Sequence, residues 1–115
     1  MVVAVSVGDF EAQAAEAVSM LKAMANEPRL LVLCHLADGN ELSVGELAGR
    51  VRLSQSALSQ HLAKLREQNL VSTRKDAQSV FYRVSDPKAL ELLALLHDLF
   101  CPDLGGAGAT EPSRS

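Results

Sequence analysis

Two short helices separated by a three-residue connection are the feature of this 115-residue chain that most restricts its fold. Ser43, followed three residues later by Glu46, has the capping-box pattern that begins a helix. Ser54 begins a second helix, "SQSALSQHLAKLREQN", in which apolar residues recur at helical spacing. The outer face of the second helix is polar and basic, which is typical of a helix-turn-helix. These residues therefore predict a helical module that presents one polar helix to solvent.

The hydrophobic period changes after Leu70 from about 3.6 residues to about 2. The segments "LVSTRK" and "SVFYRVS" flank "DAQ", which predicts a β-hairpin. Arg74, Lys75 and Gln78 lie towards its tip. A basic hairpin that directly follows a helix-turn-helix is a wing.

Three further helices complete the prediction. Residues 9–25 predict a first helix that Asp9 caps, and Pro28 begins a second that ends at Gly39. Asp86 and a following Pro begin the last helix, over residues 86–101. The expected fold is mainly α with a β-hairpin wing, in the order helix, helix, helix, helix, strand, strand, helix.

One domain is expected over residues 9–101, with a flexible N-terminus over 1–8 and a disordered tail, rich in Gly, Ala, Ser and Pro, over 102–115. No apolar run approaches the roughly 18 residues of a membrane span, so we expect a cytoplasmic protein with no membrane contact. The sequence has no Gly-rich phosphate loop, no paired-carboxylate cleft and no plausible Ser/His/Asp set, so an enzyme is not expected.

The charge is distributed unevenly. Residues 1–49 carry two basic side chains against seven acidic ones, whereas residues 50–83 carry seven basic against two acidic. A basic segment within an acidic protein is expected where one face meets phosphates, although a solvated charged surface gives the same pattern.

The last helix is too apolar on all sides to face solvent broadly. We expect one stripe to pack on its own domain and another on a second copy, without deciding which does which. Together with the small residues of the first helix, this predicts a homodimer through the first and last helices. The two stripes are Leu92, Leu95, Leu96 and Leu99, and Leu90, Leu93 and Ala94.

The two cysteines leave several interpretations open. Helical spacing puts Cys34 on one face with Leu30, Leu33 and Ala37, so that it points into the packing and His35 points about 100° away. On this evidence Cys34 is a packing residue, because free Cys behaves as a small hydrophobe. Cys101 lies at the end of the last helix, which is a poor place for a core residue.

The order of these elements resembles that of the ArsR/SmtB family of dimeric winged-helix repressors over roughly residues 15–101. The resemblance extends to the segment "SVGELAGRVRLSQSALSQHLAKLREQNLVSTRKDAQSVFYRVSD". The most specific part is "LSQSALSQHLAKLREQNLV". Asn69 stands there where Gly is usual, and Asn is the next best residue for a left-handed helix end. The resemblance implies a DNA-binding repressor.

The expected DNA contacts follow from the resemblance and from side-chain chemistry. Short hydrogen-bonding side chains at the start of the fourth helix suit base edges and phosphates, and cations suit phosphates or the minor groove. His61 is interpreted as a structural or phosphate-contacting residue. A dimer would read a pseudo-palindromic operator in double-stranded DNA, with half-sites about one DNA turn apart. The predicted set is Ser54, Gln55, Ser56, Ser59, Gln60, His61, Lys64, Arg74, Lys75 and Gln78.

Metal sensing is not favoured. Branches of the family that sense arsenic, cadmium or lead carry "ELCVCDL", whereas this chain has "ELSVGEL", with Ser43 and Gly45 where the cysteines would be. Zinc and nickel sensors use paired His and carboxylate ligands on the last helix, which here has only one histidine, His97. We therefore expect no metal and no cofactor.

The pair Cys34 and Cys101 resembles the dithiol branch of the family, which senses persulfides and thiol redox state. The resemblance, and no spacing rule, implies that the two cysteines face each other within one subunit. A thiolate would attack a reactive sulfur species and the second thiol would resolve the product, so that a bridge joins two helices and the operator is released. Three alternatives stay open: a peroxide sensor with a Cys34–Cys101 disulfide, a metal-responsive repressor and a winged-helix module that binds protein.

Overall fold

A computed structural model describes residues 7–101 of the chain, as six helices and a three-stranded antiparallel sheet of order β1-β3-β2. The first five helices and the first strand precede the hairpin, and the last helix follows it. The elements are α1 (Val7–Glu11), α2 (Ala14–Met24), α3 (Glu27–Gly39), β1 (Leu42–Ser43), α4 (Val44–Val51), α5 (Gln55–Glu67), β2 (Val71–Asp76), β3 (Ser79–Val84) and α6 (Pro87–Phe100). The predicted winged helix-turn-helix is confirmed.

Local hydrogen bonds begin the helices where the sequence predicts them. Ser43 and Glu46 form a reciprocal capping box, with N–H to oxygen distances of 3.2 Å and 2.9 Å. Ser54 Oγ accepts from the Ala57 N–H at 3.1 Å, and an Asp86 carboxylate oxygen accepts from a backbone N–H of the first turn of α6 at 2.8 Å. Because each cap joins residues two or three apart, the sequence alone predicts it.

The core is a leucine cluster in which α3, α4 and α5 meet. Its largest side chains have essentially no contact with solvent, and burying each contributes about 1.5–3 kcal/mol. This packing fixes which face of each helix points outwards. The fully buried large side chains are Val32, Leu33, Leu36, Leu47, Leu58, Leu62, Leu65 and Leu70.

The prediction of a single first helix over residues 9–25 is wrong, because the structure divides this segment into α1 and α2. The chain turns at residues 12 and 13, where the Gln13 N–H donates to Phe10 O at 2.8 Å, and α1 begins at Val7 rather than at Asp9. No Gly or Pro marks the break. The turn instead lets Phe10 line a groove with residues of α2 and α6, a tertiary contact that the local sequence does not report.

The wing hairpin lies where it was predicted, but Asp76 belongs to β2 rather than to the loop, and the sheet has one unpredicted strand. Asp76 pairs with Ser79 around a two-residue loop, and Val71 pairs with Val84 at the base. The strand β1 adds to the outer edge of β3, and at two residues it is too short to show a period. It attaches the wing to the polypeptide between α3 and α4.

The last helix divides its apolar surface differently from either predicted stripe. Leu93 and Ala89 are buried in the domain's own core and Leu92 packs against it, whereas Leu95 and Leu99 are 51% and 63% exposed. Each predicted stripe is therefore split between core and solvent. The buried face of α6 is centred on Ala89, and a residue as small as Ala contributes little to the hydrophobic pattern of the sequence.

The expectations for residues 1–6 and 102–115 concern residues outside those that the structure describes. Val7 and Gly8, which the flexible N-terminus was expected to include, belong to α1. None of the described helices combines the length and apolar character needed to cross a membrane.

The hairpin loop predicts a stabilising substitution. Ala77 has φ 58°, a left-handed conformation that costs an L-residue with a Cβ about 1 kcal/mol. Ala77→Gly should therefore raise the free energy of unfolding in urea by roughly 0.5–1 kcal/mol. Gln78→Gly, at the neighbouring loop position without positive φ, is the matched control and should not stabilise. Equal effects of the two substitutions would contradict this account.

Candidate DNA interface and dithiol site

The outer face of α5 is polar and accessible. Leu58, Leu62 and Leu65 anchor the opposite face in the core. All predicted contacts on this helix and its cap are exposed except His61, which is half-buried beside the leucines. The exposed set is Ser54, Gln55, Ser56, Ser59, Gln60 and Lys64. This surface has the hydrogen-bonding groups that a major-groove helix uses.

The predicted wing residues differ in how free their charges are. Lys75 and Gln78 are exposed at the end of the hairpin. Arg74, in contrast, donates from Nε and Nη2 to the two carboxylate oxygens of Glu41, both at 2.9 Å. These hydrogen bonds, followed by the charges of Arg74 and Arg83, keep the pKa of Glu41 below its ordinary value. Sequence reasoning missed Glu41, and no local signal connects it to a residue 33 positions later.

Cys34 is exposed, and the prediction that it points into the packing is wrong. The core face of α3 consists of Val32, Leu33 and Leu36, and Cys34 lies on the opposite side of the helix. His35 is half-buried, so it is the more enclosed of the two neighbours. The helix is apolar on nearly all sides, and its hydrophobic pattern therefore did not determine which face packs.

A groove of about 330 Å³ runs beside Cys34, between α3 and α6. Its lining is mostly apolar and includes the polar side chains of Asp38 and His97. Leu90, Ala94, His97 and Cys101 follow one another at the spacing of one flank of a helix, and the first three line the groove. The lining residues are Cys34, Ala37, Asp38, Leu90, Leu93, Ala94 and His97. Asp38 and Ala37, which the sequence analysis did not assign to a site, come one turn after Cys34 on α3.

The surroundings of Cys34 change its acidity. Partial burial raises the pKa of Cys34 above its ordinary value, and the charge of an ionised Cys101 raises it further. The residue as a whole still reaches solvent. Both cysteines are free thiols. The helix end holds Cys101 in position, with its N–H donating to His97 O at 2.7 Å.

The metal-site alternative gains no support from residues 7–101, where no three His, Cys, Asp or Glu side chains gather closely enough to bind an ion. Cys34, His35, His97 and Cys101, the four side chains that could in principle provide a tetrahedral site, therefore do not form one ligand set.

Comparison with known proteins identifies the fold and the class of function. Residues 26–73 match the family described as bacterial regulatory protein, arsR family. The chain is 59% identical to the transcriptional activator HlyU of Vibrio cholerae over 93 residues, which cover 81% of this chain and 85% of that one.

Two solved structures agree with this assignment. Reduced HlyU from Vibrio cholerae has a TM-score of 0.77 at 58% identity, over 83% of this chain and 99% of that one. The repressor BigR from Xylella fastidiosa has a TM-score of 0.78 at 38% identity, over 84% and 98% of the two chains. The chain therefore belongs to the arsR family of bacterial regulatory proteins, whose members are DNA-binding transcriptional regulators and not enzymes.

Proposed function

We propose that this regulator is a repressor that senses reactive sulfur species through Cys34 and Cys101, and releases its operator when the two are bridged. The observation that carries the proposal is the placement of two free thiols: Cys34 lines the groove between α3 and α6, and Cys101 ends the flank of α6 whose other residues line that groove. The charge of Cys101 also raises the pKa of Cys34. A negative charge on Cys101 raises the pKa of Cys34 only if the sulfurs are near each other. The similar protein described as reduced HlyU carries a redox state in its name.

The proposed reaction needs only an outside donor of sulfane sulfur, such as a low-molecular-weight persulfide. Each cysteine thiolate attacks the terminal sulfur of one persulfide, and the donor leaves as its thiol. One protein persulfide then attacks the inner sulfur of the other and expels hydrosulfide, which leaves a trisulfide between Cys34 and Cys101. If only one cysteine has been persulfidated, attack by the other thiolate gives a disulfide and hydrosulfide. Cellular thiols reverse both products.

Bridging affects DNA binding through the elements that carry the cysteines. α3 packs against the recognition helix α5 and against α6. A covalent bridge restricts the separation and tilt of α3 and α6, and therefore the orientation of α5 in the dimer. Release requires that the bridged form disfavour the DNA-bound geometry by about 1–3 kcal/mol.

Operator binding is assigned to the exposed face of α5 and to the wing. Ser56, Ser59 and Gln60 are suited to base edges, and Lys64 and Lys75 to phosphates. This division gives sequence specificity to the helix and salt-dependent affinity to the cations.

The dimer is proposed to form through the apolar surface that α1, α2 and α6 leave uncovered. Phe10, Val18, Leu21, Leu95 and Leu99 are each about half exposed or more, and a groove of about 470 Å³ runs between α2 and α6. Large apolar side chains gathered on three neighbouring helices are typical of an interface. Family members typically dimerise, which agrees with this assignment.

Mass spectrometry of the protein after exposure to glutathione persulfide tests the sensing chemistry. We expect a Cys34–Cys101 cross-link heavier by about 32 Da for each added sulfur than the plain disulfide, together with loss of operator binding. Cys34→Ser and Cys101→Ser are matched controls, and neither should release DNA. Release of DNA by a single-cysteine variant would contradict the mechanism. A plain disulfide formed as readily with hydrogen peroxide would instead favour a general redox sensor.

The pH dependence of alkylation tests the coupling of the thiols. The rate of iodoacetamide labelling at Cys34 should have its midpoint above the ordinary thiol value of about 8.5. In Cys101→Ser the midpoint should move down, because the charge of Cys101 is gone, but should stay above the ordinary value because burial is the larger cause. Peptide mass spectrometry measures the rate at each pH. An identical midpoint in both proteins would mean that the thiols are not coupled.

Light scattering tests the dimer interface. Leu99→Asp introduces a charge into the proposed seam and should shift the mass from a dimer to the 12.3 kDa of one chain. Ala63→Asp puts the same charge on an exposed position of α5 and should leave the dimer intact. If Leu99→Asp remained dimeric, the seam would lie elsewhere.

A further inference from the structure

Arg74 extends from the wing to a carboxylate outside the hairpin. It lies on β2, and its guanidinium forms a two-pronged hydrogen bond with Glu41, which lies just before β1. Because two N–H groups bind two carboxylate oxygens, this interaction constrains both the distance between the two side chains and their relative orientation. We refer to this pair as the wing clasp.

The clasp crosses the middle strand of the sheet. Phe81 of β3 is the register partner of Arg74, and the guanidinium carbon lies 5.0 Å from the centre of its ring. Arg74 therefore passes over β3 to reach the far edge of the sheet, where Glu41 precedes β1. A second carboxylate, that of Asp76, lies 3.6 Å from Arg74 Nη1. The side chain is held by two acids and one aromatic face.

These contacts change the role expected of Arg74. A DNA phosphate would compete for the guanidinium with a carboxylate that already accepts from Nε and Nη2, and would be repelled by the charges of Glu41 and Asp76. Lys75, the next residue, is exposed and projects from the opposite face of the strand. Lys75, and not Arg74, is thus the wing cation suited to a phosphate.

We propose that Arg74 is a positioning residue, and that the clasp with Glu41 fixes the angle of the wing relative to the recognition helix. A two-stranded ribbon is marginally stable alone, and β1 contributes only two residues to its outer edge. The clasp adds a side-chain link between β2 and the chain that leads into α4, the first helix of the helix-turn-helix. The wing is then presented to DNA in one orientation.

The proposal rests on DNA binding by the wing and not on thiol chemistry, so it is tested with the reduced protein. The probe is a fluorescent duplex carrying the sequence that the wild-type protein selects from a random library, and affinity is measured by anisotropy at several salt concentrations. Arg74→Lys keeps the charge but lacks the paired N–H groups of the guanidinium. It should weaken DNA binding roughly threefold to tenfold, which corresponds to the free energy of about one well-formed ion pair. The double variant Glu41→Gln with Arg74→Gln keeps the net charge and should show the same loss with an unchanged salt slope.

A charge swap separates positioning from phosphate contact. Glu41→Arg with Arg74→Glu restores an ion pair between the same positions, and should bind more tightly than the double glutamine variant. If Arg74 contacts a phosphate, the swap directs a carboxylate at DNA and binds more weakly than the double glutamine variant, and Arg74→Gln lowers the salt slope by about 0.9. That pair of results would overturn the proposal. Lys75→Gln calibrates the slope for loss of one wing cation, and circular dichroism checks that each variant is folded.

Discussion

The burial of leucines between α3, α4 and α5 is the constraint on which the rest of the molecule depends. Leu33 and Leu36 of α3 and Leu58 and Leu62 of α5 share one core from which solvent is excluded. Because one face of each helix is buried in the core, only the other faces are available to bind partners or react. On α5 the remaining face is polar and is the proposed DNA-reading surface, and on α3 it carries Cys34.

This arrangement joins the proposed sensor to the DNA-binding surface through one rigid element. Cys34 lies on the outer side of α3, and the side of α3 that packs against α5 is the opposite one. A movement of α3 therefore affects both the thiol and the position of α5. Close-packed interiors transmit displacements of this kind because they contain few voids to absorb them. The proposed chemistry therefore needs no separate sensory domain.

The wing depends on α3 in a different way. The chain that leaves the end of α3 at Gly39 provides Glu41 two residues later and β1 immediately after it. The hairpin is thus tied to the same segment that links α3 to the helix-turn-helix. The wing cations therefore differ in role, because the charge of Arg74 is already paired with a carboxylate.

The sequence by itself determined the helix-turn-helix, the hairpin and the helix starts at Ser43, Ser54 and Asp86. These features depend on hydrogen bonds and periodicities that operate over a few residues, and the sequence displays them directly. Asn69, where the family resemblance implied a left-handed helix end, has φ 61°.

Only the tertiary structure decided which way Cys34 points, how α6 divides its apolar surface and what Arg74 binds. α3 and α6 are apolar on several sides, so their own patterns are compatible with more than one packed face, and the neighbouring helices select among them. Glu41 and Arg74 are 33 residues apart, and such a pair meets only when the core fixes the elements that carry it.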